Sequence, residues 1–123
     1  MSVDMVLAPK RKRGAGEVCE RPLVWPEVDA EQAARLARLA RALSDPVRIQ
    51  LLDVLRSHAG EVCVCELIPL FGLGQPTISH HLKVLREAGL VDVKRRGIWA
   101  YYHVLPGILE QLERWLTEFR DSG

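Results

Sequence analysis

The sequence predicts a mainly α-helical chain with a β-hairpin (an α+β winged helix-turn-helix) that pairs as a dimer. Three observations predict it. Apolar residues recur at helical spacing through four segments between residues 29 and 120. A short apolar segment, a Gly72-Leu73-Gly74 turn and an amphipathic helix follow one another between Val62 and Glu87, the order of a helix-turn-helix. Two runs rich in β-branched and aromatic residues then flank Arg96-Gly97, which reads as a hairpin.

Residues 1–28 form an extended arm. They hold Pro9, Pro22 and Pro26 of the seven prolines, and no sustained period. The domain proper runs over 29–121. Asp29 caps a first helix whose stripe is Ala33, Leu36, Ala40 and Leu43. Asp45 caps a second, with Pro46 at its first position and Val47, Leu51, Val54 and Leu55 facing inward. His58-Ala59-Gly60 closes it. The segment Val62–Phe71 is a short helix. Gln75-Pro76 opens the next, which buries Ile78, Leu82 and Leu85, and Gly89 ends it in a left-handed cap. Strands over Leu90–Arg95 and Ile98–Val104 follow. Pro106 opens the last helix, whose broad stripe of Ile108, Leu112, Trp115 and Phe119 reads as core or dimer packing.

The 123 residues suffice for one domain with one core, and 48% are hydrophobic, a globular proportion. No apolar run reaches the roughly 18 residues of a membrane span. The first thirteen residues lack the pattern of a secretory signal, so a cytoplasmic location with no membrane partner is expected. The net charge is +1, but the distribution is uneven: residues 10–21 and 75–97 each carry +3, and residues 106–123 carry −2. Such a chain can present one basic face to phosphate.

The helix over 75–85 has the two faces that a base-reading helix needs. Gln75 can pair with adenine, Thr77 and Ser79 can reach base or phosphate, and His80 and Lys83 can donate to phosphate or guanine. Arg95 and Arg96 put two guanidinium groups on the hairpin. A solvated amphipathic helix would look similar in isolation. The glycine turn before it and the basic hairpin after it favour double-stranded DNA. The basic run Lys10–Arg13 reads more readily as a solvated tail than as a DNA-binding arm.

Cys19, Cys63 and Cys65 are an odd number of thiols, which argues against a disulfide framework. Cys63-Val64-Cys65 is a C-x-C pair. Its sulfurs lie on one side of a strand but about 200° apart on a helix, so one ion takes both most easily in extended or distorted backbone. From spacing alone two readings stand: thiolate ligation, and plain burial of a small apolar residue.

The stretch Leu73–Val91, together with Leu43-Ser-Asp-Pro-Val-Arg48 and Arg95-Arg-Gly-Ile-Trp-Ala-Tyr-Tyr102, resembles the ArsR/SmtB family of metal-responsive winged-helix repressors over about residues 32–105. Many relatives carry serine where this chain has Gly74. The resemblance implies a homodimer that binds operator DNA without its ion and releases it with the ion. It also implies that Glu61–Leu67 holds the ligands Cys63 and Cys65, as in arsenic- and cadmium/lead-sensing members. Cys19 is then the third ligand. Three thiolates suit arsenic(III) or antimony(III), and also lead(II) or bismuth(III), whereas cadmium(II) and zinc(II) usually take a fourth ligand. His58 and His103 read as structural. The last helix lacks the histidines that zinc, nickel and cobalt sensors of the family place there. Relatives with N-terminal thiols build the site between subunits, so Cys19 is expected to reach the partner's C-x-C pair. An alternative in the same fold is a thiol redox sensor. No base for a cysteine nucleophile is evident, so an enzyme is not expected, and the polar reading face disfavours a purely protein-binding winged helix.

Overall fold

The computed structural model describes residues 22–58 and 61–122. The chain divides into two units between Arg35 and Leu36. Cys19 and the basic run Lys10–Arg13 lie outside the described residues.

In the first unit, residues 22–28 have no regular structure and lead to the start of helix α1 (Ala30–Ala42). Asp29 and Gln32 cap that start reciprocally. The Gln32 N–H donates to Asp29 Oδ1 at 2.9 Å, and the Asp29 N–H meets Gln32 Oε1 at 3.4 Å.

The second unit carries the rest of α1, then α2 (Pro46–Ser57), β1 (Val62–Cys63), α3 (Val64–Phe71), α4 (Gln75–Glu87), β2 (Val91–Arg96), β3 (Trp99–Val104) and α5 (Gly107–Ser122). Asp45 caps α2 as expected, accepting from the Val47 N–H at 2.8 Å and more weakly from Arg48. Burial pushes its carboxyl pKa up, but the Val47 and Arg48 N–H bonds and the charges of His81 and Arg48 leave it below the ordinary value. Its folded pKa is thus depressed. The stability it lends is present above the unfolded carboxyl's pKa and is lost as pH falls through the folded one.

Arg48 turns this cap into a joint. Its Nε donates to the Ala42 carbonyl at 2.7 Å and its Nη2 to the Arg41 carbonyl at 3.2 Å, satisfying the orphan end of α1. Its Nη1 lies 3.3 Å from His81 Nδ1 on α4. One side chain therefore touches three helices.

The core is a single cluster under α4. Leu39, Leu51, Leu67, Ile78, Leu82, Leu85 and Leu90 are fully buried, joined by Ala42, Leu55, Val62 and Val91. The inward face of α4 is the one its spacing predicts. Gly72 (φ 64°) ends α3 in a left-handed cap, its N–H donating to Ile68. Gly89 (φ 80°) does the same after α4, where the Leu90 N–H reaches back to Leu85 at 3.0 Å. No residue of α5 is fully buried. Trp115 and Phe119 stack edge to face at 4.9 Å, and Leu116 and Phe119 are exposed.

Two features differ from the sequence reading, and a third, Pro106 at the start of the last helix, agrees with it. Val62–Cys63 is a strand rather than helix: β1 pairs antiparallel with β3, Val62 opposite Tyr102 and Cys63 opposite Tyr101, giving the strand order β1-β3-β2. The hairpin turn is Gly97-Ile98, one residue later than expected, with Gly97 at φ 63° as a type II′ turn requires. Pro106 stands just outside α5, its carbonyl accepting from the Glu110 N–H at 3.0 Å.

Leu82 sits at the centre of the cluster that supports α4. Leu82→Ala is expected to destabilise the fold by about 2–5 kcal/mol, read by chemical denaturation with an unchanged slope.

Candidate nucleic-acid and thiol site

The outward face of α4 is as the sequence predicts. Gln75, Thr77, His80 and Lys83 are exposed, and Ser79 is half-buried. Pro76 sits in the first turn, and Gly74 caps the helix start without a side-chain bond, so no hydroxyl stands there to meet a phosphate. The N–H groups of that first turn remain open toward an anion.

The two wing arginines part company. Consecutive strand residues face opposite sides of a sheet. Arg95, opposite Ala100, lines a cleft of about 360 Å³ between α4 and the wing. Arg96 turns to the other side, where its Nη2 pairs with Glu61 Oε1 at 2.6 Å and its guanidinium lies 5.3 Å over the Tyr101 ring. Lys94, two residues earlier on the same face, lies 3.2 Å from Glu61 Oε2. That oxygen has no partner in hydrogen-bonding geometry, so the Lys94 contact is one of charge alone. A second cleft of about 600 Å³ opens on this side, lined among the described residues by Glu61, His58, His103 and the two cations, and by no described thiol.

The cysteines open into the smaller cleft. Its floor is Cys63, Val64, Cys65 and Ile68; Gln75 and Ser79 come from α4, and Arg95, Ile98, Trp99, Ala100 and Tyr102 from the wing. Both residues of the C-x-C pair thus line the same hollow as three residues expected to meet DNA. Cys63 is the N-cap of α3, extended at φ −77° and ψ 142°. Its sulfur accepts the Cys65 N–H at 3.3 Å, and its own N–H donates to Glu66 Oε1 at 2.9 Å. Cys63 is buried and Cys65 exposed.

The C-x-C pair stands at a junction of extended and helical backbone. The backbone passes from strand to helix between the two thiols. Pro69 loosens the first turn further, because it has no N–H to give the Cys65 carbonyl four residues before it. Among the described residues, no three His, Cys, Asp or Glu groups converge as a cation site. The described donors therefore amount to a two-sulfur half-site.

Glu61, His81 and Trp99 were not singled out by sequence. Alternation along β2 puts Lys94 and Arg96 on one face and so signals an acidic partner for them. Nothing local signals the contact of His81 with Arg48, which crosses 33 residues of chain.

The Cys65 thiol is pushed above its ordinary pKa, first by its hydrogen bond with Cys63, then by burial and by the negative charges of Cys63 and Glu66. Folding therefore favours the protonated thiol. That contribution is full below the unfolded thiol's pKa and is lost as pH rises through the folded value. In a Cys19→Ser background, thiolate absorbance is expected to grow at higher pH in the folded protein than in denaturant. Cys63→Ser should bring the Cys65 midpoint back down.

Residues 45–93 match the bacterial regulatory protein, arsR family. The chain is 33% identical over 88 residues to an uncharacterised HTH-type transcriptional regulator of Methanocaldococcus jannaschii, covering 72% of this chain and 98% of that protein. It is 36% identical over 77 residues to an arsenical resistance operon repressor of Staphylococcus aureus, covering 63% and 72%. The homodimeric winged helix-turn-helix DNA-binding domain of a possible ArsR-family regulator from Mycobacterium bovis superposes with a TM-score of 0.61 at 27% identity, covering 88% and 91%. These regulators bind DNA and are not enzymes. The recognition helix, the wing and the relatives agree: this chain is a winged helix-turn-helix transcriptional regulator belonging to the arsR family.

Proposed function

We propose that this chain is a homodimeric repressor of operator DNA, released when its thiolates coordinate arsenic(III) or antimony(III). The observation that carries the reading is the shared cleft: Cys63 and Cys65 open into the hollow that Gln75, Ser79 and Arg95 line. An ion held there occupies the surface that meets DNA and strains the helix preceding the reader. Arsenical repressors among the relatives support the choice of ion.

Gln75, Thr77, Ser79, His80 and Lys83 would enter the major groove, and Arg95 would reach the adjoining backbone or minor groove from the wing. Arg96 would meet phosphate with the hydrogens that Glu61 leaves free. One reading helix and one wing cover a half-site, so two chains would span an inverted repeat. The exposed Leu116 and Phe119 of α5 give the second copy an apolar surface to cover.

The two described thiols are soft donors and fit a thiophilic ion, but a pyramidal arsenic(III) centre takes three. Cys19 is the remaining thiol, and we assign it as the third ligand from the partner chain. Ten residues separate it from Asp29. At about 3.3 Å per residue they reach about 33 Å, enough to cross a small dimer. Lead(II) fits the same donors, whereas cadmium(II) needs one more.

The ion-free protein is expected to bind an imperfect inverted repeat, with affinity falling steeply as salt rises. Arg95→Ala should lower the salt slope by about one, and Arg96→Ala by less, because Glu61 already neutralises it. No binding to any DNA, or binding indifferent to salt, contradicts the assignment.

Cys63→Ser and Cys65→Ser are expected to keep operator binding and lose release by arsenite in gel shifts. If both lose DNA affinity in step with stability, the thiols are packing residues. If oxidant releases the operator and arsenite does not, the protein is a redox sensor instead. A mixed dimer with Cys19→Ser in one chain and both Cys63→Ser and Cys65→Ser in the other should retain one three-sulfur site, as read by X-ray absorption. Its loss places Cys19 in cis.

A further inference from the structure

We propose that Glu61 is the positioning residue that ties the wing to the ligand-bearing strand, so that a shift of Cys63 is felt at Lys94 and Arg96. This rests on the reading of Cys63 as a ligand.

The geometry is built from three contacts. Glu61 immediately precedes β1, and its side chain is only 15% exposed. It reaches past β3, the central strand, to place one oxygen on Arg96 and the other beside Lys94, both on the far strand β2. Arg96 in turn lies over Tyr101, the residue opposite Cys63 in the β1–β3 pair. Cys63, Tyr101, Arg96 and Glu61 thus close a loop of one backbone pairing, one cation–π contact, one ion pair and two residues of chain.

Ligation has to disturb this loop. Cys63 is 4% exposed, and its sulfur is committed to the Cys65 N–H. An ion shared with exposed Cys65 would draw that sulfur outward from its buried capping position, and the two-residue strand with it. β1 is two residues long, so it has no further rungs to hold its register against such a pull. Glu61 is two residues away along the chain. Its carboxylate moves with β1, and the wing cations move with the carboxylate. The outcome is a wing turned relative to α4, which misaligns Arg95 from the surface that α4 presents to DNA. Ion binding then acts on the wing through Glu61 as well as by filling the cleft.

The test uses the full-length protein, its operator and arsenite. Operator affinity is measured by fluorescence anisotropy with and without arsenite, and arsenite uptake by the near-ultraviolet absorbance of arsenic–thiolate bonds. Four proteins are compared: wild type, Glu61→Gln, Arg96→Gln and the double variant. The readout is the ratio of operator affinities without and with the ion, which a loss of overall stability or of general DNA affinity does not move. Glu61→Gln is expected to take up arsenite within about twofold of wild type and to lose at least about fivefold of that ratio. Arg96→Gln should lose a similar factor, and the double variant no more than either single one, because both break one link. An unchanged ratio in Glu61→Gln, or losses that multiply in the double variant, overturns the proposal while leaving the thiol sensor intact. Wild type that takes up no arsenite, or takes it up without releasing operator, overturns the sensor reading and this inference with it.

Discussion

Cys63 holds two structural positions at once, and the arrangement of the site follows from that. It is a rung of the wing sheet, opposite Tyr101, and it is the N-cap of the helix that precedes the reader. A two-residue strand has little pairing energy of its own, so it persists because Val62 and Cys63 are buried against the sheet and core. The chain must then turn from extended to helical at the next residue. That turn leaves Cys65, two positions on, exposed while Cys63 stays buried. Moving either sulfur therefore means altering a strand, a helix cap or both.

The rest of the domain is arranged so that such an alteration has a rigid frame to act against. Leucines on four helices close over the inner face of α4, and Arg48 ties the end of α1 and the start of α2 to His81 on that helix. The reader is thus fixed from behind and from its C-terminal half. Its front is flanked by a wing that is held by the β1 pairing and by the Glu61 carboxylate. The softer contacts, a two-rung strand and ion pairs with half-exposed cations, lie on the thiol side. The firm ones lie on the core side. Induction by an ion asks for this asymmetry, because a transition needs one element that yields and another that does not.

Local chemistry made much of this legible in the sequence. Asp45-Pro46 marks a helix start and Gly89 a helix end whatever surrounds them, and the spacing of Ile78, Leu82 and Leu85 fixes which face of α4 is inward. What sequence did not reveal depends on partners far along the chain. β1 is too short to carry a period, and it exists only because Tyr101 and Tyr102 lie beside it. The hairpin turn expected from sequence lies one residue early because Arg96-Gly97 and Gly97-Ile98 are both acceptable glycine turns. That small shift makes Arg96 the last strand residue rather than a tip, and it turns the guanidinium toward Glu61. The thiol pair was legible as a motif, but its opening into the cleft of Gln75, Ser79 and Arg95 was not, since that depends on how the wing folds back.

In the proposed function, occupation of the Cys63–Cys65 pair and occupation of the DNA surface exclude one another. The direct measurement is a titration of the operator-bound protein with arsenite, following operator anisotropy and arsenic–thiolate absorbance in the same sample. The two signals are expected to move together, to reach their plateaus at the same ratio of ion to chain, and both to be absent in Cys63→Ser. Full thiolate absorbance with the operator still bound would contradict it.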